Sequence, residues 1–323
     1  MNHRSGWISR LVPLPALMVA LAGCAPAPAR LPAAEARAPN IIVILVDDLR
    51  WDDLGIEGQP FVETPAIDRL AREGARFHNA FATTPLCSPS RATILTGQYA
   101  HTNGIVDNTA RDAASHQLQT FAQPLAAAGW RTGFFGKWHM GNDDSPRPGF
   151  TRWVAMQGQG EATDPQFNID GTRVRETGYV TDLLTNHVVD FVREPGAQPF
   201  MVFLAHKALH PNIVQRDDGS TVAVAGQAEG FVPAPRHLGR YAKAVVPRRP
   251  NAGPPVTGKP ALQRAIEGVA PLGPETATPD RDVRARLEML LAVDESVARI
   301  VQALEDSGEL ARTAIFLTSD HGY

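Results

Sequence analysis

The chain has 323 residues, of which 43% are hydrophobic and 20% charged, and its formal net charge is -3. This composition is typical of a globular protein with a substantial core and excludes a disordered chain. There is no overall excess of basic residues, so the chain lacks the electrostatic character of a nucleic-acid-binding protein, and we expect no nucleic-acid partner.

Residues 1–23 have the character of a secretory signal peptide, with a basic start and a short apolar run interrupted by prolines. Leu21-Ala22-Gly23-Cys24 resembles the bacterial lipoprotein signal box, which implies acylation of Cys24. An ordinary signal peptide with an incidental cysteine is the alternative. Residues 24–39, rich in Ala and Pro, then form a tether. We expect an exported protein held at a membrane of the bacterial cell envelope by a lipid anchor.

Alternating strand and helix patterns occupy residues 40–323, and this order predicts an α/β fold with a mainly parallel central sheet and helices on both faces. Between 210 and 282 the sequence is rich in Pro and Gly, which predicts surface loops with short helices around a cleft. The predicted strands are 41–46, 131–135, 200–204 and 313–317, and the predicted helices are about 64–74, 88–97, 117–128, 179–192 and 282–304.

Polar clusters directly follow the predicted strands. Parallel strands bring their carboxyl ends to one edge of a sheet, which is where open α/β folds bind ligands. We therefore expect residues distant in sequence to meet there, although any single cluster also fits simple solvation. The clusters are Asp47 and Asp48, Lys137 and His139, His206, Lys207 and His210, and Asp320 and His321.

Cys24 and Cys87 are the two cysteines of the chain. If Cys24 carries lipid, Cys87 is unpaired in an oxidising compartment. The segment Cys87-Ser88-Pro89-Ser90-Arg91 resembles the C-x-P-S-R motif of sulfatases. That resemblance implies that a formylglycine-generating enzyme oxidises Cys87 to formylglycine. The hydrated formylglycine then attacks the sulfur of the ester, and Arg91 holds this hydrated nucleophile in place. A buried structural cysteine at a helix start is the alternative.

Gly136-Lys137-Trp138-His139-Met140-Gly141 resembles the G-K-W-H-x-G signature of the same family. The resemblance implies that Lys137 contacts the sulfate and that His139 is the base for sulfate elimination. The later segment His206-Lys207-Ala208-Leu209-His210 resembles the sulfatase segment whose histidine contacts the ester oxygen. We assign that role to His210, as a cationic ring, and His206 is a competitor for it. The alternative is that the two histidines are structural. We expect Lys207 to line the cleft or to be solvated.

The resemblance further implies a metal site made by Asp47, Asp48, Asp320, His321 and residue 87. Clustered carboxylates repel one another unless a cation neutralises them, and oxygen ligands suit Ca²⁺, with Mg²⁺ as an alternative. His321 stands where many sulfatases have Asn, which leaves another divalent ion open. For Asp47 and Asp48 alone, a solvated turn after a strand is the competing interpretation.

As a whole, residues 40–323 resemble the N-terminal catalytic part of an alkaline-phosphatase-like sulfatase without its smaller C-terminal domain and second active-site lysine. The resemblance implies hydrolysis of sulfate esters of carbohydrates or aryl groups, and residues 236–260 resemble sulfatases acting on N-acetylglucosamine 6-sulfate. We expect this chain by itself to fold poorly or be inactive. The alternatives are a phosphonate or phosphate ester hydrolase with the same nucleophile and a noncatalytic lipoprotein that binds sulfated glycans.

Overall fold

A computed structural model of the protein describes residues 37–249, 257–265, 267, 273 and 276–323. The predicted signal peptide, Cys24 and the tether up to residue 36 lie outside the described residues. Within those described ranges, no helix is both long enough and apolar enough to cross a membrane.

The described elements alternate between strands and helices, as the sequence predicts. The strands are β1 (Asn40–Val46), β2 (Arg131–Lys137), β3 (Arg152–Met156), β4 (Gln166–Ile169), β5 (Thr172–Arg175), β6 (Phe200–His206), β7 (Ile213–Gln215), β8 (Thr221–Ala223) and β9 (Thr313–Ser319). The helices are α1 (Pro65–Glu73), α2 (Cys87–Thr96), α3 (Ala100–Asn103), α4 (Asp112–Gln117), α5 (Ala122–Ala127), α6 (Val180–Arg193), α7 (Pro260–Gln263) and α8 (Asp280–Asp306). Short 3₁₀ helices lie at Gly55–Glu57 and Leu310–Arg312.

A seven-stranded sheet with the order β5-β4-β3-β2-β6-β1-β9 forms the centre of the fold. The five strands β3, β2, β6, β1 and β9 are parallel to one another. At one edge, β4 pairs antiparallel with β3, and β5 pairs antiparallel with β4. Val46 at the end of β1 pairs with His206 on one neighbour and Ser319 on the other. Because these three strands end in register, the residues that follow them lie side by side: Asp47, Lys207 and Asp320.

Hydrophobic side chains fill both faces of the sheet. Even-numbered residues of β1, such as Ile42 and Ile44, pack with α1, α6 and α8, whereas Leu45 packs with α2 and α5 on the other face. On that second face, Phe134 stacks on Trp153 with ring centroids 4.6 Å apart. Each fully buried large apolar side chain stabilises the fold by about 1.5–3 kcal/mol. The predicted α/β architecture, with helices on both faces of a mainly parallel sheet, is confirmed.

Only part of the helix predicted at 117–128 forms, because α4 ends at Gln117, a break follows at 118–121, and α5 covers Ala122–Ala127. Pro124 explains the break. One continuous helix would place this proline in its interior, where a backbone donor is lost and the ring clashes with the preceding turn. In α5, Pro124 instead lies in the first turn, where its missing N–H leaves no bond unmade.

Several strands are absent from the sequence-based prediction. The β7–β8 hairpin lies in the segment predicted to be surface loops, and β3 to β5 lie in a stretch left without a prediction. The strands β4, β5, β7 and β8 each have three or four residues. Runs of that length are too short for the alternation of apolar and polar residues to be recognised.

Candidate active site

Helix α2 begins at Cys87, so the first turn of this helix carries the C-x-P-S-R segment. All five of its residues are buried. The Ser88 hydroxyl donates to the carbonyl of His139 at 2.5 Å, and the Ser90 hydroxyl donates to the carbonyl of Asp320. The Ser88 amide donates to the Asn108 side chain at 3.0 Å. The two serines thus join the helix to the segments that follow β2 and β9.

The Cys87 thiol lies at the centre of the polar clusters predicted to converge. Its Sγ is 3.8 Å from Lys137 Nζ, 3.9 Å from Asp47 Oδ1 and 3.3 Å from His321 Nε2. Burial raises the pKa of Cys87 to about 12, and the carboxylates of Asp47 and Asp320 also raise it, against the opposing effect of Lys137. An unmodified Cys87 is therefore a neutral thiol at neutral pH.

Two cations, Arg91 and Lys137, are buried beside the thiol. The Lys137 ammonium forms a fully buried ion pair with Asp47. The Arg91 guanidinium lies 3.2 Å from Asp47 and 3.0 Å from Asp320, and its Nη1 donates to the Lys137 carbonyl at 2.6 Å. Because a buried charge is costly unless paired, these contacts fix both cations in place.

Three carboxylates share this small volume, and their pKa values diverge. Burial acts to raise the pKa of Asp47, but Lys137 and Arg91 hold it well below its usual value. Burial and then the charge of Asp47 raise the pKa of Asp48 to about 7. The same two causes raise the pKa of Asp320 to about 6. Asp47 is therefore ionised and paired, whereas the ionised forms of Asp48 and Asp320 call for additional positive charge.

The donor set at this edge of the sheet fits a divalent cation. Asp47, Cys87, Asp320 and His321 each offer one ligand atom, and these atoms all lie within 4.8 Å of one another. Asp48 adjoins the group, with its Oδ1 3.5 Å from His321 Nδ1. Carboxylate oxygens are the preferred ligands of Ca²⁺ and Mg²⁺, while the imidazole nitrogen also suits softer divalent ions.

His139 lies in a constrained turn just after β2. Its φ of 56° falls in the left-handed region, which costs a non-glycine residue about 1–3 kcal/mol. Gly136 lets β2 run close to β6, since a Cβ at this position would lie 2.0 Å from the Ala205 carbonyl oxygen. Burial, followed by Lys137 and Arg91, lowers the pKa of His139 well below its usual value. The ring is therefore neutral at neutral pH.

The structure separates the two histidines of the later segment. His206 Nε2 lies 3.2 Å from Ser296 Oγ of α8, and burial lowers the pKa of His206 to about 3. His210 instead lies near Asp47, and its Nδ1 contacts the Pro211 carbonyl at 2.9 Å, which leaves Nε2 available. Burial and then Lys137 lower the pKa of His210 well below its usual value, so the structure disfavours the cationic ring that the sequence led us to expect.

Lys207 is a third buried cation near this site, so the idea of a solvated lysine is wrong. The residue is 1% exposed, and its Nζ donates to the Pro211 carbonyl at 3.0 Å. Burial and then the charge of Lys137 lower the pKa of Lys207 to about 7. Sequence reasoning missed this burial because a lysine after a strand is usually solvated, and only the register of β6 with β1 brings it against Asp47.

Gln215, Gln159 and Asn108 also belong to the surroundings of His139, and sequence reasoning missed all three. Gln215 Oε1 lies 2.9 Å from His139 Nε2 and 3.2 Å from Gln159 Nε2. Isolated amide side chains in unpatterned segments give no signal, since the β7–β8 hairpin that carries Gln215 is itself unpredicted.

A family model described as Sulfatase matches residues 39–323. The chain belongs to the sulfatase family. It is 30% identical to an N-acetylglucosamine-6-O-sulfatase of Bacteroides thetaiotaomicron, over 97% of this chain and 62% of that protein. It is 29% identical to the human N-acetylglucosamine-6-sulfatase, over 90% of this chain and 52% of that protein. The chain thus spans little more than half the length of these sulfatases.

The fold is also that of solved sulfatases, with the alkaline-phosphatase-like architecture. One such structure, of a protein in complex with its substrate D-glucosamine-2-N,6-O-disulfate, is 28% identical and has a TM-score of 0.72. The match covers 88% of this chain and 66% of the other.

Proposed function

We propose that this chain carries the catalytic centre of a sulfatase acting on sulfated carbohydrate, with the 6-O-sulfate of a glucosamine or N-acetylglucosamine unit as its substrate. The observation that carries the proposal is the pair of buried cations, Arg91 and Lys137, held beside Cys87 at the start of α2. Fixed cations at the start of a helix stabilise an anionic ester group and the charge that develops on it. The sugar assignment rests on the names of the relatives and on the substrate in the solved complex.

We further propose that residue 87 works as formylglycine. The C-x-P-S-R segment supports this, as does the protonated state of the thiol, which is a poor nucleophile as it stands. The hydrated aldehyde would supply a hydroxyl nucleophile that can later release sulfate. The net reaction is consumption of one water, with release of the sugar alcohol and inorganic sulfate.

The surrounding residues would orient the ester and move protons. Arg91 and Lys137 hold the negative sulfate oxygens through charge and hydrogen bonds. His139, neutral and buried, can accept a proton. We assign the leaving oxygen to His210 and Lys207, which are buried beside Asp47, and a lysine with a pKa of about 7 can donate a proton near neutral pH.

Asp47, Asp48, Asp320, His321 and the side chain at position 87 would hold a divalent cation, for which we propose Ca²⁺. A bound cation supplies Lewis-acid stabilisation and lowers the pKa of an attached hydroxyl. Its own charge would also offset the repulsion that raises the pKa of Asp48 and Asp320.

The test is sulfate release from N-acetylglucosamine 6-sulfate by protein co-produced with a formylglycine-generating enzyme, in the presence of Ca²⁺. The mass of the peptide containing residue 87 reports the modification, and Cys87→Ala is the control. Although the resemblance to longer sulfatases led us to expect an inactive chain, the buried pairing of Arg91 and Lys137 beside Cys87 leads us to propose turnover that requires both the modification and the cation. Modified protein that cleaves phosphonate monoesters instead would favour the phosphonate hydrolase alternative, and glycan binding without turnover would favour a noncatalytic protein.

A further inference from the structure

The β7–β8 hairpin brings Gln215 into contact with the ring of His139. Gln215 is the last residue of β7 and is 7% exposed. Its Nε2 donates to the backbone carbonyl of Asn108. Its Oε1 lies 2.9 Å from His139 Nε2 and accepts a second bond from Gln159 Nε2 at 3.2 Å. Every polar atom of this amide therefore has a partner.

The Asn108 carbonyl determines which way the Gln215 amide points. A backbone carbonyl can only accept a hydrogen bond, so the amide atom that faces it must be the NH₂ group. The carbonyl oxygen of the amide then faces His139. Asn108 is itself held in place, because its own side chain accepts the Ser88 amide in the first turn of α2. The orientation of Gln215 is thus tied to the helix that carries Cys87.

The direction of the amide determines the protonation pattern of the imidazole. An amide oxygen only accepts, so His139 Nε2 must carry a hydrogen in order to bond with Gln215. A neutral ring then has its lone pair on Nδ1. Nδ1 is buried and has no hydrogen-bond partner among the residues that the structure describes. The imidazole ring therefore uses Nε2–H for its hydrogen bond to Gln215, while the lone pair of Nδ1 stays free to accept a proton.

We propose that Gln215 is a positioning residue that holds His139 as the Nε2–H tautomer, so that Nδ1 is the atom that takes up a proton in the reaction. The tautomer follows from the hydrogen bonds alone, while the role of Nδ1 rests on the proposed function. In sulfate elimination the Nδ1 lone pair binds the proton of the free hydroxyl on sulfated, hydrated residue 87. The O–H electron pair then forms the C=O bond of the regenerated aldehyde, while the bond from that carbon to the sulfate oxygen breaks and sulfate leaves with its electron pair. The imidazolium keeps its Nε2–H bond to Gln215, and loss of the Nδ1 proton to water restores the neutral ring.

The direct test is NMR of the full chain labelled with ¹⁵N in its histidines, with the His139 signals identified by their loss in His139→Gln. We expect the wild type to show protonated Nε2 and bare Nδ1. Gln215→Met removes the acceptor at similar volume and should give a mixture of tautomers, whereas Gln215→Glu keeps an acceptor and should restore Nε2–H. Gln227→Met is the matched control, because Gln227 lies in the same segment and its side chain, among the described residues, bonds with Asn212 and the Thr163 carbonyl and not with His139.

A bare Nε2 in the wild type, or an unchanged Nε2–H tautomer in Gln215→Met, would overturn the assignment. On the sulfate ester we expect kcat to fall by about 10- to 100-fold in Gln215→Met with little change in KM, and to recover in Gln215→Glu. Equal losses in Gln215→Met and Gln227→Met would mean that the hairpin has only a structural role. A wild type without sulfatase activity would refute the proposed function, while the NMR result would still decide the tautomer.

Discussion

The Nζ of Lys137 lies 3.8 Å from the Sγ of Cys87, although 50 positions separate the two residues. The same ammonium group is paired with Asp47, so one buried cation contacts both the proposed nucleophile position and a ligand of the proposed metal site. Cys87 at the start of α2 and Lys137 at the end of β2 therefore reach their native contacts only when both of these elements are in place.

Lys137→Met should strongly reduce sulfate ester hydrolysis, because it removes the charge while keeping most of the side-chain volume. We expect kcat/KM to fall by about 10²- to 10³-fold, the usual effect of losing one donor to developing negative charge. Steady-state kinetics of the modified protein would measure this. Lys243→Met, at an exposed lysine, is the control. A comparable loss in the two variants would argue against a specific role for Lys137.

Asp48→Asn should change how stability depends on pH in a chelating buffer. The pKa of Asp48 is raised from 3.8 to about 7 in the folded protein, so its stabilising contribution is complete below 3.8 and is lost as the pH rises through about 7. Asparagine has no proton to lose, and each pKa unit corresponds to about 1.4 kcal/mol. Above about pH 7 the variant should have the higher Tm, and near about pH 4 the difference should disappear.

Added Ca²⁺ should reverse this order, because the cation favours ionised carboxylates and binds only the folded site. The wild type should then gain more in Tm than Asp48→Asn. Thermal unfolding followed by circular dichroism measures both effects, and Asp190→Asn, at an exposed carboxylate, is the control. Parallel curves for the wild type and Asp48→Asn, with and without Ca²⁺, would be incompatible with a metal site that includes Asp48.

Substitutions of His206 and His210 should have opposite consequences. His210→Asn should lower kcat by about 10²-fold or more with little change in Tm, because His210 faces the site. His206→Asn should cost about 1–3 kcal/mol of stability, since the fully buried imidazole and its contact with Ser296 are lost while Ser296 keeps its bond with Thr185, and should leave kcat nearly unchanged. Kinetics and thermal melts of the two variants together provide the check, each serving as the control for the other. Loss of kcat in His206→Asn with an unchanged Tm would reverse the assignment.

Export and lipid anchoring remain proposals that rest on the segment ending at Cys24. In a bacterial host, the wild type should partition with the membrane fraction and carry lipid on Cys24. Cys24→Ser should be recovered in the aqueous phase after detergent partitioning. Cys87→Ser, which leaves the signal segment untouched, should behave as the wild type does. Equal partitioning of Cys24→Ser and the wild type would refute lipidation of Cys24.

The convergence of Asp47, Lys137 and Asp320 could be predicted from sequence, because each follows a strong strand pattern and parallel strands end at one edge. The position of Cys87 at the start of a helix could also be predicted, because the C-x-P-S-R motif coincides with the start of a helical pattern. These inferences rest on long, regular elements whose periodicity is visible in a single chain.

The partners of these residues could not be predicted, because they depend on tertiary distances. His206 and His210 look equivalent in sequence, but His206 ends β6 and contacts Ser296 of α8, whereas His210 lies in the turn beyond the strand, near Asp47. The charge states of His210 and Lys207 depend on how deeply β6 and the turn after it are buried beside Lys137. Gln215 lies on a three-residue strand that has no local signature, so its contact with His139 emerges only from the folded chain.

The hydroxyls of Ser88 and Ser90 couple the first turn of α2 to two other segments of the chain. Their hydroxyls hold backbone carbonyls, those of His139 and Asp320, and therefore set where two chain segments lie as well as how their side chains point. We expect a thermal displacement of the helix end to carry both segments with it, so that the spacing between Cys87, His139 and Asp320 is preserved while the whole group moves. Loss of either hydroxyl would loosen that spacing even though every group that touches the ester remained present.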